Sequence, residues 1–429
     1  MRERIKAYLL GVELQERPGF ANEMEELEGL AEACHIEVVG IWSQKLDYPH
    51  RTHYLGAGKL QEVAEALRAA GEELAVIAND ELTPSQIRTL ERELDCRLLD
   101  RTMLILELFA LRARTREAQL QVRIAELQYR LPRLAGLRDA LGRQGGGSGL
   151  INRGSGETKL ELDRRKILAQ IDSMQSELEK LVHRRQVQRK QRQKRGVPVV
   201  ALVGYTNAGK SSLLNALLRA YQPESAKQVM AKDMLFATLE TSVRRIELPD
   251  RQHFLATDTV GFVSRLPHHL VKAFRSTLEE LTEADLLIHV VDYANPEHPE
   301  QIEVTTETLR ELGADDIPVI YAYNKTDQAG VAYPLIEGEG IYLSAREGKG
   351  IEELVAMIRE RVLEPYMACD ITVPFTEGGI VSYFNEHAQI HDTRYEPEGT
   401  RLRLSCSPAD YERYRERVIV HDADFATTD

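Results

Sequence analysis

Residues 204–211 read Gly204-Tyr205-Thr206-Asn207-Ala208-Gly209-Lys210-Ser211, the pattern G-x-x-x-x-G-K-S. An apolar run at 199–203 precedes it, and residues 211–218, with Ser212 in their first turn, have helical spacing. The pattern therefore sits between a strand and a helix, the context its mechanism requires. There the loop N–H groups and the helix dipole cradle phosphate. Lys210 is expected to bridge the β- and γ-phosphates of a nucleotide, and Ser211 to ligate Mg²⁺. The pattern alone would also serve an ATPase or a kinase.

Working outward, three further motifs decide the base. Asp258-Thr259-Val260-Gly261 follows a strand ending at Thr257. Asp258 is expected to hold Mg²⁺ through water, and the Gly261 N–H to sense the γ-phosphate. Asn324-Lys325-Thr326-Asp327 follows the strand 319–323. Asp327 is placed to accept from guanine N1–H and the exocyclic N2 amine. Adenine offers neither donor, so GTP is selected over ATP. Ser344-Ala345-Arg346 follows the next strand, where a backbone N–H can meet guanine O6. Four motifs in order, each at a strand end, imply a GTP/GDP site in a P-loop domain, expected to be a GTPase. The alternatives are a GTPase assisting ribosome assembly or RNA modification, or a nucleotide-gated binding scaffold with little hydrolysis.

Thr238, in Phe236-Ala237-Thr238-Leu239, lies in the interval of a first switch threonine, with Thr241 as the alternative. There it would ligate Mg²⁺ and close over the γ-phosphate. Lys210, Thr238 and Gly261 are thus the catalytic candidates. Phe262 occupies the position where many GTPases place a water-orienting Gln, which predicts slow intrinsic hydrolysis. Asn207 is either a turn residue or an asparagine that helps hold K⁺.

The flanks set the architecture. Residues 1–100 alternate strand signals (5–12, 36–42, 74–78, 97–99) with helical ones (23–33, 58–70, 84–94), which predicts a small α/β domain with a parallel sheet. Gly56-Ala57-Gly58-Lys59 reads as a helix start and a candidate anion site. Two long helical stretches follow, with Leu104, Leu108, Leu111, Leu120, Ile124, Leu127, Leu131 and Leu134 in the first and Ile167, Ile171, Met174, Leu178 and Leu181 in the second. They predict an antiparallel hairpin, with Pro132 expected to bend or interrupt the first helix. Between them lie fifteen residues, 142–156, seven of them glycine, with Arg143, Asn152 and Arg153. Antiparallel helices need fewer connecting residues, so this tip is a candidate probe. Residues 196–365 form a second α/β domain, with strands at 199–203, 243–248, 254–256, 286–291, 319–323 and 341–343 and helices starting near 210, 270, 300 and 350. Residues 366–429 suggest a small α+β module.

Charge singles out the hairpin. The chain of 429 residues has a net charge of −13. Residues 101–195 carry 22 Lys and Arg against 10 Asp and Glu, a local +12, and the run 181–195 has seven basic residues and no acid. A basic segment in an acidic chain points to phosphate contact, hence RNA. The length predicts about three domains. Four scattered cysteines indicate neither a zinc site nor disulfides, which suits the cytoplasm. No apolar run approaches the roughly 20 residues of a membrane span.

The guanine motifs with D-T-V-G-F at 258–262, L-F-A-T-L at 235–239, G-G-G-S-G at 145–149 and E-T-K-L-E-L-D-R-R at 157–165 resemble the HflX family of GTPases. The similarity covers nearly the whole chain. It implies association with the large ribosomal subunit and ribosomal RNA, reached by the N-terminal arm, and splitting of stalled ribosomes in the GTP state. A monomer in solution is expected.

Overall fold

A computed structural model describes residues 5–15, 19–71, 73–144, 153–193, 197–222, 242–265 and 281–420. The chain divides into two units. Residues 1–191, 232–240 and 260–279 form the first, and residues 192–231, 241–259 and 280–429 the second.

The first unit opens with β1 (Ile5–Leu14), α1 (Phe20–Ala33), β2 (Ile36–Leu46), α2 (Ala57–Ala70), β3 (Leu74–Ala78), α3 (Pro84–Leu94) and β4 (Leu98–Asp100). The strands pair in parallel in the order β2-β1-β3-β4, as the alternating strand and helix signals predict. Every residue of β3 is buried, because an inner parallel strand is covered on both faces. Thr83 and Gln86 close a capping box over α3, with Pro84 in its first turn.

Asp100 starts α4 (Arg101–Arg112) by accepting from the Met103 N–H at 2.9 Å. Its other oxygen accepts from Tyr129 Oη and Arg133 Nη2, both at 2.6 Å, and so ties the arm to the sheet. α5 (Arg116–Gln144) and α6 (Arg153–Gln193) form the hairpin. Ile124 and Leu127 pack with Ile171, and Arg116 meets Glu177 at 2.7 Å, so the two helices run antiparallel. The expected interruption at Pro132 does not occur: α5 runs through it. The break comes earlier, at residues 113–115, where Ala113 is extended and the Thr115 hydroxyl accepts from the Ala118 N–H at 3.2 Å. The Thr115 hydroxyl thereby satisfies an open N–H at the start of α5. The expected tip loop falls largely outside the described residues, as do the switch residues 235–239 with Thr238, Thr241, and the helix expected near 270.

The second unit holds β5 (Val199–Val203), α7 (Lys210–Tyr221), β6 (Ser242–Glu247), β7 (His253–Asp258), β8 (Leu286–Asp292), α8 (His298–Leu312), β9 (Val319–Asn324), β10 (Leu335–Glu337), β11 (Gly340–Tyr342) and α9 (Ile351–Val362). Its seven-stranded sheet has the order β10-β11-β9-β8-β5-β7-β6, parallel except at the two edge strands. Edge strand β10 is absent from the sequence reading, since three residues carry no usable period. A C-terminal antiparallel sheet follows, built from β12 (Met367–Val373), β13 (Gln389–Glu396), β14 (Gly399–Cys406) and β15 (Val418–Val420), with α10 (Gly378–His387) and α11 (Pro408–Arg413). This is the expected α+β module. Phe384, Leu402 and Leu404 lie in its core.

Candidate nucleotide site

The site starts where β5 ends. β5 is buried between β7 and β8, so its C-terminal end opens at the middle of the sheet. The loop then takes three left-handed residues: Gly204 at φ +139°, Asn207 at +62° and Gly209 at +98°. A Cβ on Gly204 would stand 2.2 Å from the Val290 carbonyl oxygen, and one on Gly209 would stand 2.2 Å from Asn324 Nδ2. Both glycines are therefore demanded by conformation and by space. Gly209, at the N-cap of α7, has no side chain to cap the first turn, the arrangement a helix N-terminus presents to an anion.

Lys210 is the first residue of α7 and is buried. Its Nζ donates to the carbonyls of Gly204 at 3.0 Å and Tyr205 at 2.7 Å. Burial lowers its pKa to about 8, against the opposing pull of Asp258. His289 on β8 is buried beside it, and burial, then Lys210, lowers that imidazole to about 3. His289 is thus neutral and adds no second charge. The loop suits an anion that would complete the solvation of Lys210.

Ser211 Oγ donates to Asp258 Oδ2 at 2.6 Å, and Asp258 is fully buried. The next residue, Thr259, donates its hydroxyl to the Leu202 carbonyl at 2.6 Å, fixing the end of β7 against β5. A hydroxyl and a carboxylate meeting here form a hard oxygen pair of the kind Mg²⁺ takes.

At the other end, Asn324 joins two loops. Its Nδ2 donates to the Ala208 carbonyl at 2.9 Å and its Oδ1 accepts from the Ala345 N–H at 3.0 Å. Lys325 is left-handed at φ +63°, and its ammonium sits 2.7 Å from Asp292. Thr326 donates to the Leu343 carbonyl at 2.8 Å, and Asp327 accepts from Ser344 Oγ at 2.7 Å. The two base-end motifs are thus brought together, while Arg346 beside them is exposed.

Gly261 falls in the first unit, with the stretch that follows it. Phe262 there is buried, which removes it as a partner for water. Ser264 and Arg265 make a network that the sequence analysis did not find. Ser264 Oγ donates to Glu26 Oε2 at 2.6 Å, and Arg101 Nη2 donates to Ser264 Oγ at 3.1 Å, to its carbonyl at 3.2 Å and to Glu26 Oε1 at 2.9 Å. Arg265, left-handed at φ +57°, reaches Glu23 at 3.3 Å and pairs with Asp80. Tyr54 donates to Asp80 at 2.5 Å, and burial followed by Asp80 holds its phenol well above the ordinary range. No sequence signal marks this cluster. Its members are charged and polar residues drawn from distant parts of the chain. The Gly56–Lys59 helix start is present as expected. The Gly56 N–H, however, is taken by Gln44 Oε1 at 2.7 Å, and Lys59 by Glu62 at 3.0 Å.

Comparison with known proteins settles the family. Residues 21–110 match the "GTP-binding GTPase N-terminal" family, residues 112–192 its "Middle Region" and residues 199–325 the "50S ribosome-binding GTPase" family. The GTPase HflX of Caldanaerobacter subterraneus is 41% identical over 97% of this chain and 95% of its own length. The chain belongs to the HflX family of GTPases. The GTPase HflX of Escherichia coli is 39% identical, with 91% of each chain covered. This HflX GTPase is therefore a P-loop enzyme whose second unit carries the phosphate loop and the two base-end motifs. Among the described residues no helix is long and apolar enough to cross a membrane.

Proposed function

We propose that this HflX GTPase binds the large ribosomal subunit through its basic hairpin arm and uses GTP binding and hydrolysis to split stalled ribosomes. The observation that carries the coupling is the grip on Ser264 and Arg265. The chain leaves the nucleotide-bearing sheet at Thr259 and is held three residues past Gly261 by the unit that bears the arm. A γ-phosphate that draws in the Gly261 N–H therefore pulls on residues locked to Glu26, Glu23 and Asp80. A ligand shifts a conformational equilibrium only through such differential contacts. The name of the family matched by residues 199–325 supports the choice of the 50S particle.

In this reading Gly204–Ser212 wrap the phosphates and Lys210 bridges the β- and γ-groups. Ser211 and Thr238 would hold Mg²⁺ directly, and Asp258 through water. Mg²⁺ there would neutralise charge on the phosphate oxygens. Asn324, Lys325 and Asp327 hold guanine, with Ser344, Ala345 and Arg346 at its O6 edge. Water attacks the γ-phosphorus, the bond to the β-phosphate oxygen breaks, and GDP and phosphate leave. Phe262 offers no group to orient that water, so turnover by the protein alone is slow and rises on the ribosome. Asn207 would hold K⁺ at the phosphates.

The test measures sedimentation with 50S and 30S particles in each nucleotide state, and splitting of 70S particles by light scattering. GTPase rates are taken in sodium and potassium, with and without 50S. Replacing Arg184, Arg185, Arg189 and Lys190 by Gln should weaken 50S binding and flatten its salt dependence. Splitting by that variant at the parent's rate would assign the RNA contact elsewhere. Equal rates in the two salts would remove K⁺ from Asn207.

A further inference from the structure

Strands β9 and β11 are parallel neighbours. A connection between parallel strands normally contains a helix that covers one face of the sheet. Here residues 325–339 contain only the single 3₁₀ turn Thr326–Gln328 and edge strand β10. The register shows what this leaves open. Leu335, Tyr342, Tyr323 and Val291 stand opposite one another across four strands. In the adjacent row stand Glu337, Gly340, Tyr321 and His289. The alternate residues Ile341, Ala322 and Val290 point the other way, into the core.

The tyrosines form one surface. The Tyr323 and Tyr342 rings stack at 4.8 Å and 21°, and Tyr321 lies 6.3 Å from Tyr323 at 17°. Tyr293 meets Tyr342 edge-on at 5.1 Å. Tyr323 leans over Gly340, where a Cβ would come within 2.8 Å of its ring. All four tyrosines are half-buried, and Leu335 is 43% exposed.

The surroundings are acidic. Residues 286–350, which leave out α9 on the opposite face, contain 12 Asp and Glu against 4 Lys and Arg. Two of those four cations, Lys325 and Lys349, pair with Asp292 and Glu347. Glu300, Glu303, Glu307 and Glu311 on α8 are exposed, and Glu337 ends the second row. Stacked aromatic faces ringed by carboxylates suit guanidinium and ammonium groups, by cation–π contact and charge-assisted hydrogen bonds. The same field repels RNA.

We infer that this tyrosine face docks a basic, arginine-bearing polypeptide segment of a partner protein. The site adjoins the base-end loop, where the Tyr293 N–H donates to the Asn324 carbonyl at 3.0 Å, and does not rest on the ribosomal reading. The probe is a fluorescein-labelled twelve-residue peptide of alternating Arg and Gly. It is titrated with the full-length GDP-bound protein at physiological salt and read by anisotropy. Unlabelled oligo(U) and a Glu-for-Arg peptide serve as competitors. Tyr342→Ala should weaken peptide binding about tenfold, whereas Tyr342→Phe, which keeps the ring face, should hold the parent affinity. Leu335→Ser, on the exposed edge strand, is the second variant and should weaken it about threefold. Retained GDP affinity reports that each variant is folded. Equal affinity for parent, Tyr342→Ala and Leu335→Ser would overturn the inference, because charge alone would then explain binding. Displacement of the peptide by oligo(U), or binding of a second copy of this chain instead, would overturn it too.

Discussion

Replacing Lys210 with Met separates the two things this residue does. The buried ammonium is held at about 8 rather than 10.5. The gap corresponds to a cost of roughly 3 kcal/mol for keeping the charge in the nucleotide-free protein. A lysine whose pKa falls on folding binds fewer protons folded than unfolded between the two values. Its cost is therefore in full force below pH 8 and disappears as pH rises to 10.5. Methionine has similar volume and no charge. Losing the hydrogen bonds to Gly204 and Tyr205 gives back about 1–2 kcal/mol. The Lys210→Met protein should then be more stable than the parent without nucleotide, by roughly 1–2 kcal/mol, or about 2–6 °C in Tm at pH 7. With saturating GDP the order should reverse, because only the parent gains from the ligand. A phosphate that restores the lysine's charge makes binding take up a proton above pH 8. GDP affinity of the parent should accordingly be about fourfold weaker at pH 8.5 than at pH 7. Thermal melts with and without GDP and calorimetric titrations at the two pH values provide the measurements. A nucleotide-free variant that melts below the parent, together with a flat affinity from pH 7 to 8.5, would refute this account of the buried charge.

Asp327→Asn should cost GTP about 1.5–3 kcal/mol for each charge-assisted bond lost and turn preference toward xanthosine nucleotides, whose C2 oxygen accepts. Competition binding reads this directly, and an unchanged preference for GTP would take Asp327 out of the role. Arg265→Ala removes a cation from Glu23 and Asp80, both largely buried, at a cost on the order of 2–4 kcal/mol to the first unit. It should lower the melting temperature of that unit and change the GTP hydrolysis rate while sparing GDP affinity. A changed melt with an unchanged rate would reduce the cluster to a structural clasp.

The nucleotide motifs were legible because each is short and continuous and answers a local demand. Gly204 and Gly209 have no room for a Cβ, Lys210 must open α7, and Asp258 and Asn324 must end strands. The parallel sheets and the hairpin were legible from periodicity, since buried faces write their period into the chain. Long-range pairing writes no such signal. Arg265 meets partners 185 and 242 residues away, and Arg101 meets Ser264 across 163. No spacing rule links them, because only the folded path of the backbone makes them neighbours. Pro132 pointed to an interruption that the fold does not make: α5 starts beside the Thr115 hydroxyl and runs through the proline. The tyrosine rows exist only because β9 and β11 pair in the register that places Tyr323 beside Tyr342 and Tyr321 beside Gly340. A one-residue slip would have turned those side chains to the opposite face.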